Sequence, residues 1–108
     1  MKSTRDVLIQ SNKIDAATKF YEKVLGFQII EQSEQLVGFD TGSFRFFIDK
    51  GESYGPVFEL YVPDLKKAKK TLVKNGCRID VEDSKIPRCY VRDPFGLIFN
   101  LAEKKNLK

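Results

Sequence analysis

The chain has no histidine and no tryptophan, and only one methionine, two cysteines and four prolines in 108 residues. Without histidine, Ser-His-Asp and Cys-His catalysis are excluded, as is any metal site built on an imidazole ligand. Proton transfer would fall to a carboxylate, lysine, tyrosine or cysteine with a shifted pKa. Cys77 and Cys89 lie outside any CxxC pattern, and two thiolates alone hold neither a zinc ion nor an iron–sulfur cluster. No apolar run approaches the roughly 18 residues of a membrane span. The apolar run near the N-terminus, Val7-Leu8-Ile9, is too short for the hydrophobic stretch of a signal peptide. These absences predict a soluble cytoplasmic protein with reduced thiols and no membrane partner.

What is present is an ordinary globular mixture, 42% hydrophobic and 31% charged, enriched in aromatics by nine Phe and four Tyr. Nineteen Lys and Arg against 15 Asp and Glu leave a formal charge of +4. That balance permits an anionic partner without demanding one. The length fits one compact domain.

Local patterns divide the chain into two similar halves. Arg5–Gln10 reads as a strand. Ser11-Asn12 offers a helix N-cap, with Asp15 three residues after Asn12 in the reach-back position of a capping box. Ile14, Ala17, Tyr21, Val24 and Leu25 share one helical face and Gly26 follows, so the spacing predicts a helix over 13–25. Strands follow at Phe27–Glu31, Leu36–Phe39 and Phe44–Asp49, the last two joined by the Asp40-Thr41-Gly42 turn. Residues 50–56, with two Gly and a Pro, read as a linker. The second half begins with a strand at Val57–Val62. Asp64 then caps a helix with the stripe Leu65, Ala68 and Leu72, which Asn75-Gly76 ends. Strands at Cys77–Val81, Arg88–Arg92 and Leu97–Ala102 complete it, before a polar tail over 103–108 that is expected to fray.

Laid over each other, Lys13-Ile14 to Ala17 matches Asp64-Leu65 to Ala68, Gly26-Phe27 matches Gly76-Cys77, and the turn at Asp40 matches Asp93-Pro94-Phe95-Gly96. A repeat of about 52 residues predicts two fused βαβββ modules, 1–49 and 57–108, sharing a core.

The segment Lys13-Ile-Asp-Ala-Ala-Thr-Lys-Phe-Tyr-Glu-Lys-Val-Leu-Gly-Phe27 resembles the D-L-x-x-A-x-x-F-Y-x-x-x-L-G-F signature of the vicinal oxygen chelate superfamily. Val62-Pro-Asp-Leu-Lys-Lys-Ala68 is similar to its V-x-D-L-x-x-A, and Tyr90 to Leu101 to its closing R-D-P-D-G-N-x-I-E-L. That superfamily holds glyoxalase I, extradiol dioxygenases and bleomycin resistance proteins. The resemblance spans nearly the whole chain. It implies an α+β fold whose two βαβββ modules form a curved mixed sheet cup, with one helix per module on the convex side. It also implies a homodimer.

By that resemblance the superfamily's metal-ligand positions fall on Asp6, on Phe46 (or on Arg45 if the frame slips by one), on Val57 and on Asn100. One carboxylate and one amide cannot replace a set of imidazoles and carboxylates, so no metal and no cofactor is expected, and catalysis is not favoured. Taking those positions as cup-facing, alternation adds Leu8 and Gln10, Glu59 and Tyr61, and Ile98. The fourth strand contributes Phe44, Phe46 and Ile48, or in the other frame Arg45, Phe47 and Asp49. The expected ligand-binding residues are Asp6, Gln10, Phe46, Glu59, Tyr61 and Asn100. The expected function is binding of a small organic molecule, aromatic or anionic, as in the antibiotic-resistance branch. An atypical metal-dependent lyase, isomerase or dioxygenase is the alternative. A non-enzymatic interaction module is another, carried by the basic second helix. Lys66, Lys67, Lys69, Lys70 and Lys74 on that helix read as a solvated face, without the interleaved aromatics of single-strand nucleic-acid binding.

Overall fold

The computed structural model describes residues 1–86 and 88–106. The chain divides into two compact units, one of Arg5–Pro56 and one of Met1–Thr4 with Val57–Lys108. Each is a βαβββ module with a mixed sheet, so the fold is α+β.

The first module contains β1 (Lys2–Ser11), α1 (Ile14–Lys19), β2 (Gln28–Gln32), β3 (Leu36–Asp40) and β4 (Arg45–Lys50). Its strand order is β2-β3-β4-β1, with β4 parallel to β1 and the other neighbours antiparallel. The second module contains β5 (Tyr54–Val62), α2 (Leu65–Lys74), β6 (Arg78–Asp83), β7 (Arg88–Arg92) and β8 (Ile98–Glu103). It repeats the order as β6-β7-β8-β5, again with one parallel pair, β5 with β8. β5 begins at Tyr54, so 54–56, expected as linker, are already strand. At the other end, Glu103 closes β8 and Lys104 N–H reaches the Val62 carbonyl at 2.8 Å. Residues 107 and 108 of the expected tail lie outside the described residues.

The repeat extends to irregularities. The β2–β3 ladder slips between Ile29 and Glu31, and the β6–β7 ladder slips between Ile79 and Val81, fifty residues on. Such bulges re-aim the strand that carries them. Both helices end in a glycine of positive φ, Gly26 at 77° and Gly76 at 96°, a conformation that costs a side-chain-bearing residue but not glycine.

The two helices start differently. Asp64 Oδ1 accepts from Lys67 N–H at 3.0 Å, the expected cap, and Glu103 Oε2 accepts from Leu65 N–H at 2.9 Å. In α1 neither the Asn12 cap nor the capping box forms. Lys13 holds the cap position, where its ammonium group cannot accept a helix N–H, and Ser11 Oγ takes the Lys13 N–H at 3.1 Å in a local turn. The end of α1 also departs from expectation. Phe20–Val24 widens into a π-helical turn, with Leu25 N–H bonded to the Phe20 carbonyl at 3.3 Å. The wider turn breaks the 3.6-residue phase. Tyr21 keeps its place against the core, whereas Val24 and Leu25, expected on the same stripe, are 68% and 48% exposed.

Each sheet buries its helix-side face. In the first module Ile14, Val37, Phe39, Phe46 and Ile48 form the core, flanked by Val7, Ile9, Ala17, Tyr21, Phe27 and Ile29. The rings of Tyr21, Phe27, Phe39 and Phe46 stack edge to face and in parallel, the closest pair (Tyr21 and Phe46) at 4.9 Å between centroids. Phe46 therefore belongs to the helix side. In the second module Val62, Ala68, Cys89, Val91, Phe99 and Leu101 play the same part, with Leu60, Leu65, Leu72, Cys77 and Ile79 packed around them.

Candidate functional site

With Phe46 and Ile48 committed to the core of the first module, alternation sends Arg45, Phe47 and Asp49 of β4 to the opposite face. This corrects the placement of Phe46 as a ligand-facing residue; the one-residue frame shift puts Arg45 there instead. β1 contributes Asp6, Leu8 and Gln10 to the same face, since Val7 and Ile9 point to the helix side. The register lines these residues up in cross-strand rows: Asp6 with Arg45 and Asp40, Leu8 with Phe47 and Gly38, Gln10 with Asp49 and Leu36.

The first row carries the main electrostatic feature. Arg45 donates from Nε to Asp6 Oδ1 and from Nη2 to Asp6 Oδ2, each at 2.7 Å. The planar guanidinium matches the carboxylate in a two-pronged pairing that lysine could not reproduce. Its Cζ also lies 5.4 Å from the centre of the Phe47 ring, within cation–π reach. In the second row, Gly38 sits beneath that ring: an added Cβ would meet Phe47 Cε1 at 2.8 Å. Gly38→Ala is expected to displace the ring and to destabilise the module by about 1–3 kcal/mol as overpacking does. Urea unfolding and the Phe47 ring resonances read both effects. In the third row, Asp49 Oδ1 accepts from Gln35 Nε2 at 3.0 Å.

The second module presents a comparable face. Glu59, Asn100 and Tyr90 form one row across β5, β8 and β7. Asn100 is half-buried and its Oδ1 accepts from the Cys89 backbone N–H at 2.8 Å, so its amide oxygen serves the strand. Tyr90 is buried, and the Arg88 guanidinium lies 5.2 Å from its ring centre. Tyr61 and Glu59 are half-buried on β5, and Lys104 Nζ stands 5.0 Å from the centre of the Tyr61 ring. Val57, on the same face, is buried and apolar. At the β6 bulge Asp80 receives Arg78 Nε at 2.8 Å and Arg92 Nε at 2.9 Å.

The residues at the positions that the resemblance assigns to metal ligands make a poor donor set. Asp6 is clasped by Arg45, whose fixed positive charge stands where a cation would have to approach. Val57 has no donor atom, and the Asn100 oxygen already accepts a backbone bond. Among the described residues no group of three or more His, Cys, Asp or Glu is arranged to hold an ion.

Of the residues expected from sequence, the structure brings Asp6 and Gln10 onto one face of the first module, and Glu59, Tyr61 and Asn100 onto one face of the second. Arg45 and Phe47 enter in place of Phe46, and Tyr90 joins the Asn100 row. The signal for Arg45 and Phe47 lies in β4 itself. Phe44, Phe46 and Ile48 are all apolar, and Arg45, Phe47 and Asp49 are mixed.

A cavity of about 600 Å³ opens on the second module, with Leu65, Cys89 and Leu101 in its wall and Glu82, Asp83 and Glu103 among its polar groups. Its carboxylates are engaged: Glu103 at the start of α2, Asp83 with the Lys85 N–H at 2.9 Å, and Glu82 in an ion pair with Lys69. The hydrogen bond that Lys69 donates to Glu82 raises the Lys69 pKa above its ordinary value. Burial, and then the Glu82 charge, push the Cys89 thiol up, which keeps it protonated and unreactive. Cys89 is accordingly expected to resist iodoacetamide at neutral pH and to alkylate at the free-thiol rate only after unfolding, as read by mass spectrometry. A raised thiol pKa in the folded state stabilises below the ordinary cysteine value, and the contribution fades as pH climbs through the folded value.

Residues 6–42 match the sequence model described as bleomycin resistance protein-like N-terminal. No curated protein matches the chain in sequence. Solved structures share its fold at low identity. A hypothetical protein from Bacillus halodurans aligns over 100% of this chain and 99% of its own, with a TM-score of 0.67 at 12% identity. A glyoxalase/bleomycin resistance protein/dioxygenase superfamily member from Vibrio splendidus aligns over 95% and 100%, with a TM-score of 0.65 at 16% identity. An H200E variant of homoprotocatechuate 2,3-dioxygenase from B. fuscum aligns over 96% of this chain, with a TM-score of 0.64 at 18% identity; the match takes up only 32% of the dioxygenase. Among the described residues no helix is long and apolar enough to cross a membrane.

Proposed function

We propose, from the chain's likeness to the vicinal oxygen chelate superfamily in fold and in its first-module sequence, that the protein binds a small organic molecule without a metal ion. The observation that carries this reading is the two-pronged pairing of Asp6 with Arg45 at a position where metal-dependent relatives would need a ligand. A guanidinium already supplies the positive charge there, and it lies against an aromatic ring. Arg45 and Phe47 together suit a planar aromatic body bearing a carboxylate, which can stack on the ring and accept from the cation. Asp6 is a positioning residue that fixes the guanidinium plane. Gln10, on the same face, offers amide donors and acceptors. The basic overall charge favours the approach of anions over cations.

The test is an amide-resolved NMR titration of the whole protein with phenylacetate, beside phenethylamine and cyclohexylacetate. Saturable shifts centred on Arg45 and Phe47, strongest for phenylacetate, support the proposal. Equal responses to all three compounds, or none, would overturn it.

A further inference from the structure

The outer side of α2 carries a second feature, separate from the sheet faces. Leu65, Ala68 and Leu72 turn to the core, which leaves the other positions of this ten-residue helix to solvent. Five of those positions are lysines, as hydration requires, but Val73 is not, and it is 52% exposed. Valine is a poorer helix former than lysine, so an exposed valine here gains neither propensity nor burial. It does not stand alone. Val73 and Ile79 of the neighbouring strand β6 line a groove of about 410 Å³ whose remaining walls are Lys69, Lys70 and Lys74. Lys69 is paired with Glu82. Among the described residues, Lys70 and Lys74 make no ion pair with a carboxylate. The groove thus joins an apolar floor to a cationic rim, with the long lysine stems adding apolar wall below the ammonium groups.

We propose that this groove binds a soluble anionic amphiphile, a single apolar chain ending in a carboxylate or a similar headgroup. The chain would lie over Val73 and Ile79, and the headgroup would sit between Lys70 and Lys74. Charge complementarity selects an anion. The apolar floor selects against a purely polar polyanion such as nucleic acid, which would need the rim alone. The groove spans about one turn of a single helix, and one chain can cover it. A bilayer surface would require a broader apolar face.

Amide-resolved NMR of the whole chain with decanoate, held below its micelle concentration, tests this. Saturable shifts over 69–74 and at Ile79 are expected, with decanol and decyltrimethylammonium at least about tenfold weaker because they lack the matching charge. Val73→Asp, and separately Lys70→Glu with Lys74→Glu, should each weaken decanoate at least about tenfold, by removing apolar contact or inverting the rim. Both variants change exposed positions, and circular dichroism confirms that they fold. Decanol binding as well as decanoate would overturn the proposal. So would shifts confined to other residues, or indifference to both variants. Sedimentation with phosphatidylglycerol vesicles that is lost in Val73→Asp would overturn the assignment to a soluble ligand in favour of a lipid surface.

Discussion

Phe39→Ala is expected to destabilise the first module by about 3–5 kcal/mol, the range for emptying a buried aromatic site. Phe39 is wholly buried, and its ring lies 6.0 Å from Tyr21, 6.5 Å from Phe27 and 6.3 Å from Phe46. The cavity would be walled by three rings and by the sheet backbone, none of which can collapse into it without breaking strand register. Phe46→Ala is expected to fall in the same range, since Phe46 shares that cluster. Phe47→Ala should cost clearly less, because Phe47 is only half-buried and lies on the opposite face. Urea denaturation of the three variants separates the faces of β4 by energy. A Phe47 loss equal to the other two would contradict the assignment of faces.

Arg45→Ala is expected to weaken phenylacetate binding at least about tenfold, the scale of one charge-assisted hydrogen bond. The same change should move stability by no more than about 1 kcal/mol, because the pair with Asp6 is partly exposed. Arg45→Lys separates charge from geometry. It keeps the cation but loses the planar fork, so an intermediate affinity is expected. Isothermal titration and urea unfolding, run side by side, check the contrast. An Arg45→Ala protein that binds as the parent does would remove Arg45 from the site.

Much of the fold was legible in the sequence because the determining signals are local. Gly26 and Gly76 mark the helix ends, Asp64 caps α2, and β4 is dense in residues that favour strands. The repeat raised these separate signals to a two-module architecture. The misplacements arose where local rules competed. Ser11 and Asn12 were both plausible caps, and a two-residue serine turn prevailed. The π-helical turn at Phe20–Val24 has no apolar-periodicity signature, so the stripe read through Val24 and Leu25 ran past the point where the helix changes phase. At residues 50–56, Gly and Pro read as a break, yet strand β5 begins at Tyr54.

The site was less legible than the fold. Fixing the cup-facing set from motif positions put Phe46 where Arg45 belongs, a one-residue slip that exchanges the faces of a strand. The composition of β4 argued for the other frame, since Phe46 and Ile48 make a purely apolar face suited to the core, whereas Arg45, Phe47 and Asp49 make a mixed one. The pairing of Asp6 with Arg45 joins residues 39 apart in sequence. It depends on the parallel register of β1 with β4, which no local pattern encodes. Asn100 was legible only in part. Its position suggested a ligand contact, and the structure adds a strand role that the sequence does not show, its oxygen accepting the Cys89 N–H.

Metal analysis coupled to native mass spectrometry tests the central claim most directly. The protein would be equilibrated with zinc, nickel or ferrous ion, exchanged into metal-free buffer, and then presented with phenylacetate. The account predicts no transition metal retained in stoichiometric amount and a phenylacetate adduct that Arg45→Ala abolishes. One metal ion retained per chain and released by Asp6→Ala would contradict it.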